Sequence, residues 1–201
     1  MDATEWDERY RDAELVWSKG PNATVATELA DLPPGRALDL AGGEGRNAIW
    51  LAEQGWDVEL VEFSSVALDK AAQLADHAGV ELTCTLGDVT APPALEPADL
   101  VLLAYLQLPR EQVREAHRLA ASLVRPGGVF LLVAHAKRNL TDGVGGPPDP
   151  AVLCTAEEVV DDLAGTGLDI EVAREITRPV ETDDGERHAI DLLVRASRPA
   201  G

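Results

Sequence analysis

The sequence predicts an α/β protein built on a mostly parallel, seven-stranded sheet with helices on both faces and an antiparallel last strand. Short apolar runs alternate with helical segments between residues 37 and 134, as is typical of strands joined by helical crossovers. The fourth run is apolar almost throughout, as expected of a parallel strand covered on both sides. Two further strand-like runs, 168–176 and 189–196, follow near the end of the chain and are expected to pair antiparallel.

The individual elements follow from their caps and their periodicity. Thr155 and Glu158 form a capping box, which marks the start of the last predicted helix. The polar residues 178–188 are predicted to be a loop between the last two strands. The five earlier strands are predicted at 37–41, 58–61, 82–86, 98–106 and 129–134; the helices are predicted to begin at Arg46, at Ser64 or Ser65, at Pro109 and at Thr155, and to end before Gly55, Gly79, Pro126 and Gly165.

The charge balance restricts the class of partner. The 201 residues include 17 Lys and Arg against 36 Asp and Glu, a net charge of −19. A field of this sign disfavours binding to nucleic acid or to an anionic membrane, since neutralising phosphates needs clustered basic residues. The N-terminal residues do not resemble a signal peptide, and the longest apolar run, 100–106, is far shorter than a membrane span. We therefore expect a cytoplasmic monomer or homodimer that binds small molecules and holds no metal.

A glycine-rich turn lies between the first strand and its helix. It reads Leu38-Asp39-Leu40-Ala41-Gly42-Gly43-Glu44-Gly45-Arg46-Asn47. Glycines here let a ligand approach the backbone, and the N–H groups at the start of the helix face that ligand. The spacing Gly43-x-Gly45-x-x-Ala48 also matches a dinucleotide-binding turn, which leaves an NAD(P)-dependent oxidoreductase open as an alternative.

Three acidic residues at the ends of the first three strands favour a different ligand. Asp39 lies four residues before Gly43, where its carboxylate would repel a diphosphate and attract a cation. Glu62 ends the second strand, where an acid can bind both ribose hydroxyls. Asp88 follows the third strand, where it could accept the exocyclic amine of adenine. Together they describe a cationic nucleoside without phosphate, and S-adenosylmethionine has that description.

These segments, with Val61-Glu62-Phe63-Ser64, Gly87-Asp88-Val89 and Pro126-Gly127-Gly128, resemble the class I S-adenosylmethionine-dependent methyltransferases. The opening Trp6-Asp7-Glu8-Arg9-Tyr10 and the sequence Gly45-Arg46-Asn47 are similar to the tellurite-resistance and thiopurine methyltransferase-like branch, which acts on small molecules. The resemblance implies a Rossmann-like methyltransferase fold. It also implies one domain, in which residues 1–35 form a helical lid, 36–135 a cofactor-binding core and 136–201 the substrate side.

The resemblance also implies the cofactor site. Asp39, Gly43 and Gly45 would hold the amino-acid end of S-adenosylmethionine, Glu62 the ribose, and Asp88 with Val89 the adenine. Members of this branch usually carry a small residue such as Cys in place of Gly42 and Asp in place of Glu62, so weakened binding is expected. Further expected contacts are Ala41, Arg46, Asn47, Phe63 and Ser64, together with Ala104 and Tyr105, which would face the sulfonium and the methyl group.

The acceptor side is less specific in sequence. His135 follows the fifth strand and is a candidate general base, with Tyr105 as the second candidate catalytic residue and His188 as another group that could reach the same cleft. His77 and His117 are predicted to be surface residues. Trp6, Tyr10 and Trp17 are predicted to pack the lid, and the loop 138–150 is predicted to form a wall of the substrate site.

The sequence therefore predicts an S-adenosylmethionine-dependent methyltransferase that modifies a sulfur, oxygen or nitrogen atom of a small molecule. Two alternatives stay open at this point. One is the NAD(P)-dependent oxidoreductase, and the other is a non-catalytic module that binds S-adenosylmethionine.

Overall fold

A computed structural model describes residues 3–16, 20–182 and 185–201. The chain packs as two compact units, residues 1–102 and residues 103–201. Hydrogen bonding joins seven strands in one sheet. Their order across the sheet is Thr83–Leu86 (β3), Asp57–Glu62 (β2), Arg36–Leu40 (β1), Ala98–Ala104 (β4), Val124–His135 (β5), Gly185–Ser197 (β7) and Asp169–Thr182 (β6). No helix among the described residues is long and apolar enough to cross a membrane.

The first unit is a parallel α/β arrangement with two helices ahead of it. Strand β1 pairs in parallel with β2, and β2 with β3, so that Leu40 lies opposite Val61 and Glu62 opposite Leu86. The carboxyl ends of these three strands consequently meet at one edge. The elements are α1 (Ala3–Asp12), α2 (Ala23–Leu29), β1 (Arg36–Leu40), α3 (Arg46–Glu53), β2 (Asp57–Glu62), α4 (Ser65–Ala78) and β3 (Thr83–Leu86), followed by β4 (Ala98–Ala104), which runs into the second unit.

The second unit contains the antiparallel part of the sheet. Strand β7 pairs antiparallel with both β5 and β6, and this register places His135 of β5 and Ile176 of β6 on either side of Asp191. The capping box predicted at Thr155 and Glu158 is present. The elements are α5 (Arg110–Ser122), β5 (Val124–His135), α6 (Asn139–Asp142), a single 3-10 turn (Pro150–Val152), α7 (Ala156–Leu163), β6 (Asp169–Thr182) and β7 (Gly185–Ser197).

Two sequence predictions about this unit are wrong. Residues 178–182 and 185–188 do not form a loop, because β6 continues to Thr182 and β7 starts at Gly185, and these residues pair with one another across the two strands. His117 is not a surface residue: it is 2% exposed, and its Nδ1 lies 2.9 Å from Oδ2 of buried Asp162. The charged sequence around His117 belongs to the outer side of α5, whereas His117 shares the inner side with Val113 and Ala120. His77 is exposed, as predicted.

Candidate functional site

The glycine-rich turn of the first unit is tightly packed around Asp39. Ala41, Gly43 and Gly45 all have left-handed backbone conformations, with φ values of 54°, 59° and 77°. A Cβ atom added to Gly42 would lie 2.8 Å from Oδ2 of Asp39 and would also collide with the Leu60 side chain. Glycine at this position is therefore required by the packing of Asp39 itself, in addition to any effect on a bound cofactor.

Asp39 is buried at the end of β1 without a hydrogen-bond partner. The residue is fully buried, and neither carboxylate oxygen accepts a hydrogen bond of ordinary geometry from the described residues. Burial raises the pKa of Asp39 to about 7; the Arg46 guanidinium and the Ala48 backbone N–H act to lower it, and Glu62 acts to raise it. Because buried polar groups are almost always paired in folded proteins, a buried carboxylate with so few donors is suited to a ligand that carries a cation.

Glu62 lies at the end of β2 and is held against the glycine turn. Its Oε2 accepts the Gly43 N–H at 3.0 Å and its Oε1 accepts the Ser64 N–H at 3.0 Å. Burial raises the pKa of Glu62, the backbone N–H groups of Ser64, Gly43 and Phe63 lower it, and the nearby Asp7 carboxylate raises it. Each oxygen keeps lone pairs for a further donor, so this fixed carboxylate can also accept hydroxyl groups of a ligand.

The N-terminal segment is attached to the same turn. Lys70 of α4 donates to the carbonyl oxygens of Tyr10 and Ala13 and to Oε1 of Glu44, at distances of 2.5, 2.7 and 3.1 Å. The other oxygen of Glu44 accepts the Val16 N–H at 2.9 Å. The ammonium thus binds carbonyl groups at the C-terminal end of α1, where a cation is favourable, and it links this segment to the glycine turn.

Other residues of the predicted cofactor site have different partners. Asn47 is buried and accepts the Asn22 N–H at 2.9 Å, which is a structural contact. The Oδ1 atom of Asp88 accepts both the N–H and the hydroxyl of Thr90, each at 2.8 Å, as in an Asx turn, while Val89 is buried. Ser64 caps α4 through the Ala67 N–H. The roles of these residues, and of half-buried Phe63 and Ala104, in cofactor binding stay predictions.

The second unit contains a polar cluster around Asp191. Its Oδ2 accepts the Tyr105 hydroxyl at 2.7 Å and Nε–H of Arg178 at 3.0 Å, and its Oδ1 lies 3.1 Å from Nδ1 of His135. We call Tyr105, His135, Arg178 and Asp191 the Asp191 cluster. The Tyr105 and His135 rings are also in contact, with centroids 4.7 Å apart. Tyr105 itself has a φ of 59°, an uncommon conformation for a non-glycine residue.

The electrostatics of the cluster fix the protonation states. The three donors of His135, Tyr105 and Arg178 outweigh the effect of burial and lower the pKa of Asp191, so this group is a carboxylate at neutral pH. Burial and the Asp191 charge raise the pKa of Tyr105 to about 12, which keeps its hydroxyl protonated. Since a carboxylate can only accept, a neutral His135 carries its proton on Nδ1 and leaves the Nε2 lone pair available.

The loop after β5 packs on this cluster. Gly146 has φ 78°, and a Cβ atom there would lie 3.1 Å from the His135 ring, so the loop backbone covers one side of the imidazole. Asn139 fixes the loop: its Nδ2 donates to the Gly145 carbonyl at 2.8 Å and its Oδ1 accepts the Ile190 N–H at 2.7 Å. His188 is exposed and does not join the Asp191 cluster.

His135 and Tyr105 are candidates that the sequence predicts, whereas Asp191 and Arg178, which contact them, were not predicted. A signal for Asp191 was present, because it is a lone acid within the apolar run Ala189–Val194. In the N-terminal segment, Tyr10 is buried and its ring stacks on Trp6 at 5.5 Å, in line with the predicted packing roles. Trp17 lies outside the described residues.

Comparison with known proteins finds a methyltransferase domain. Residues 37–128, somewhat less than half of the chain, match the model of such a domain. This match supports the resemblance to the class I S-adenosylmethionine-dependent methyltransferases. A curated relative of the chain, tRNA 5-carboxymethoxyuridine methyltransferase of Escherichia coli K12, is 34% identical over 119 residues, which cover 56% of the chain and 45% of that protein. The chain therefore spans less than half the length of this relative.

Solved structures agree on the fold of the chain. One, from work on the conversion of a disulfide bond into a thioacetal group during echinomycin biosynthesis, has a TM-score of 0.80 at 23% identity and covers 98% of this chain and 91% of its own. TehB from Haemophilus influenzae has a TM-score of 0.73 at 20% identity, covering 90% of this chain and 63% of its own. The predicted Rossmann-like methyltransferase fold is confirmed.

Proposed function

We propose that this methyltransferase transfers a methyl group from S-adenosylmethionine to a small-molecule acceptor. The observation that carries the proposal is the buried, unpartnered carboxylate of Asp39 at the glycine turn. An ammonium group would supply the missing donors and compensate the charge. A diphosphate would add negative charge beside Asp39 and Glu62, which argues against NAD(P) at the same turn.

The residues of the first unit fit such a cofactor by their chemistry. Asp39 and Arg46 carry opposite charges, which suit the ammonium and carboxylate groups of an amino acid. Ala41, Gly43 and Gly45 expose backbone at the turn, and Glu62 offers lone pairs to ribose hydroxyls. When bound, S-adenosylmethionine supplies a methyl group already activated by its sulfonium, so the protein has to position the acceptor and, where necessary, take up its proton.

The Asp191 cluster supplies a base for such a proton. Asp191 holds the His135 ring through Nδ1 and stabilises the imidazolium that forms when Nε2 accepts a proton, as carboxylates do for catalytic histidines. Tyr105 stays protonated and donates its single proton to Asp191, so its hydroxyl oxygen can accept a hydrogen bond from a ligand. We assign His135 as the general base and Tyr105 as a residue that orients the acceptor.

The acceptor could in principle be a small molecule or an RNA, and the charge of the chain favours a small molecule. The E. coli relative is named for a tRNA substrate, whereas this chain has a net charge of −19, which opposes binding to a polyanion. We therefore favour a small acceptor over RNA. Turnover assays with labelled S-adenosylmethionine should include both unmodified bacterial tRNA and a panel of small phenols, thiols, amines and acids.

Calorimetric titration of the full chain tests the cofactor assignment. Micromolar binding of S-adenosylmethionine and S-adenosylhomocysteine without binding of NADH is expected. Binding of NADH alone would reject the proposal.

A His135→Ala variant is expected to bind S-adenosylmethionine normally and to lose about 10²–10⁴-fold in turnover of acceptors that must lose a proton. Cofactor binding without turnover of any acceptor would favour the non-catalytic module.

A further inference from the structure

We infer that the acceptor is a small hydroxy acid, whose carboxylate is bound by Arg178 while its hydroxyl loses a proton to His135. The inference rests on the methyl transfer proposed above and specifies the substrate class of that reaction. Arg178 lies in a polar stretch that the sequence predicts to be a loop, so its pattern alone does not mark it as a binding residue.

The geometry leaves Arg178 able to bind a ligand. Its Nε–H donates to Asp191, which is fully buried and therefore fixes the guanidinium from the inner side. The Arg178 side chain remains 30% exposed. A guanidinium has five N–H donors arranged as a planar fork. Arg178 uses Nε for Asp191 and also interacts with the Tyr105 hydroxyl, and its remaining terminal donors fit a carboxylate.

The charges of the cluster favour an anion. Asp191 is its single carboxylate, and both of its oxygens are taken by Tyr105, His135 and Arg178. Arg178 balances that charge alone, so protonation of His135 during the reaction makes the cluster net positive. A substrate carboxylate compensates this charge, whereas a neutral acceptor does not.

The two units also differ in net charge, and the unit that contains Arg178 is the less negative one. Residues 1–102 contain six Lys and Arg against 20 Asp and Glu, a net charge of −14, whereas residues 103–201 contain 11 against 16, a net charge of −5. A cationic cofactor suits the strongly acidic first unit, and the field of the second unit opposes an anionic acceptor less than that of the first.

The chemistry balances with a hydroxy acid. The hydroxyl oxygen of the acceptor forms the new bond to the methyl carbon, and the carbon–sulfur bond breaks with its electron pair remaining on sulfur, which becomes a neutral thioether. The hydroxyl proton passes to Nε2 of His135. The carboxylate of the acceptor stays on Arg178 throughout and takes no part in the bond changes.

Matched pairs of probes test this assignment. Hydroxybenzoates and hydroxycinnamates are compared with their uncharged primary amides for binding to the full chain saturated with S-adenosylhomocysteine, and for turnover with S-adenosylmethionine. We expect at least one acid to bind at least tenfold more tightly than its amide. Arg178→Gln should raise the KM of that acid 10–100-fold with a smaller change in kcat, and Arg178→Lys should recover part of the loss.

Arg174→Gln is the matched control, since Arg174 is an exposed arginine on the same strand, about 13 Å away by strand geometry. It should leave the KM unchanged. If every acid fails to bind, or acids and amides bind equally, or Arg178→Gln leaves the preference intact, the inference is overturned. Because these outcomes are read on protein that binds S-adenosylhomocysteine, they are distinct from failure of cofactor binding, which would overturn the proposed function instead.

Discussion

Replacement of Asp39 by asparagine should stabilise the protein without cofactor, and the gain should grow with pH. The wild-type carboxylate is buried without a hydrogen-bond partner, and burial raises its pKa to about 7 from 3.8. As pH rises above 3.8, the unfolded chain releases this proton while the folded chain keeps it. The free energy of unfolding of the wild type therefore falls until pH exceeds about 7. Asparagine does not titrate and removes this loss.

The magnitude follows from the two pKa values. A tenfold difference in proton affinity is worth about 1.4 kcal/mol, so the raised pKa of Asp39 costs about 2 kcal/mol of stability at pH 5.5 and about 4 kcal/mol at pH 8. Any effect of the amide that does not depend on pH cancels between these conditions. The advantage of Asp39→Asn over wild type should therefore increase by about 2 kcal/mol between pH 5.5 and pH 8.

Urea unfolding at both pH values measures this difference, and both values lie above the isoelectric point of about 4.4. Asp31→Asn is the control, because Asp31 is exposed in the same unit, and its difference from wild type should not change with pH. If the Asp39→Asn difference is also the same at pH 5.5 and pH 8, Asp39 is already compensated in the free protein, and the argument for a cationic ligand fails.

Three further substitutions have defined outcomes. Glu62→Ala should weaken S-adenosylmethionine binding by about 1–3 kcal/mol in calorimetry, and an unchanged affinity would show that Glu62 does not bind the ribose. Lys70→Met should accelerate hydrogen exchange of the amides of residues 10–16 by at least tenfold, because the hydrogen bonds of Lys70 to the backbone carbonyls of this segment and to Glu44 are lost. Unchanged exchange would mean that Lys70 does not hold this segment. Asp162→Asn should lower the free energy of unfolding in urea by about 2–4 kcal/mol, because buried His117 and Arg110 lose their charged acceptor. This loss should shrink in acid, because the pKa of Asp162 is lowered in the folded protein and its stabilising effect disappears as the carboxylate is protonated. A constant difference down to pH 3 would contradict that reasoning.

The parts of the fold that depend on local signals could be predicted from sequence. The capping box at Thr155, the Ser64 cap and the stop at Gly79 all mark helix ends correctly, because caps act within a few residues. His117 was misassigned because its charged neighbours obscured its place on the apolar face of α5, and its partner Asp162 is 45 residues away. The extension of the β6–β7 hairpin depends on cross-strand pairing, which local polarity does not reveal.

The candidate site divides in the same way. Asp39 and Glu62 could be located because the ends of successive parallel strands meet at one edge, so spacing alone brings them together. The partners of His135 could not be located, because the contact between His135 and Asp191 depends on the register of an antiparallel pair 56 residues apart. Arg178 and Lys70 are common surface residue types, and only their tertiary contacts distinguish them.

Proton release on cofactor binding tests most directly whether Asp39 binds the cation of S-adenosylmethionine. At pH 6.5 a carboxyl group with a pKa of about 7 is about three-quarters protonated, and it must ionise to pair with an ammonium group. Calorimetry in buffers of different ionisation enthalpy should therefore show release of between half a proton and one proton by the wild type, and essentially none by Asp39→Asn. Equal proton release by the two proteins would contradict the assignment.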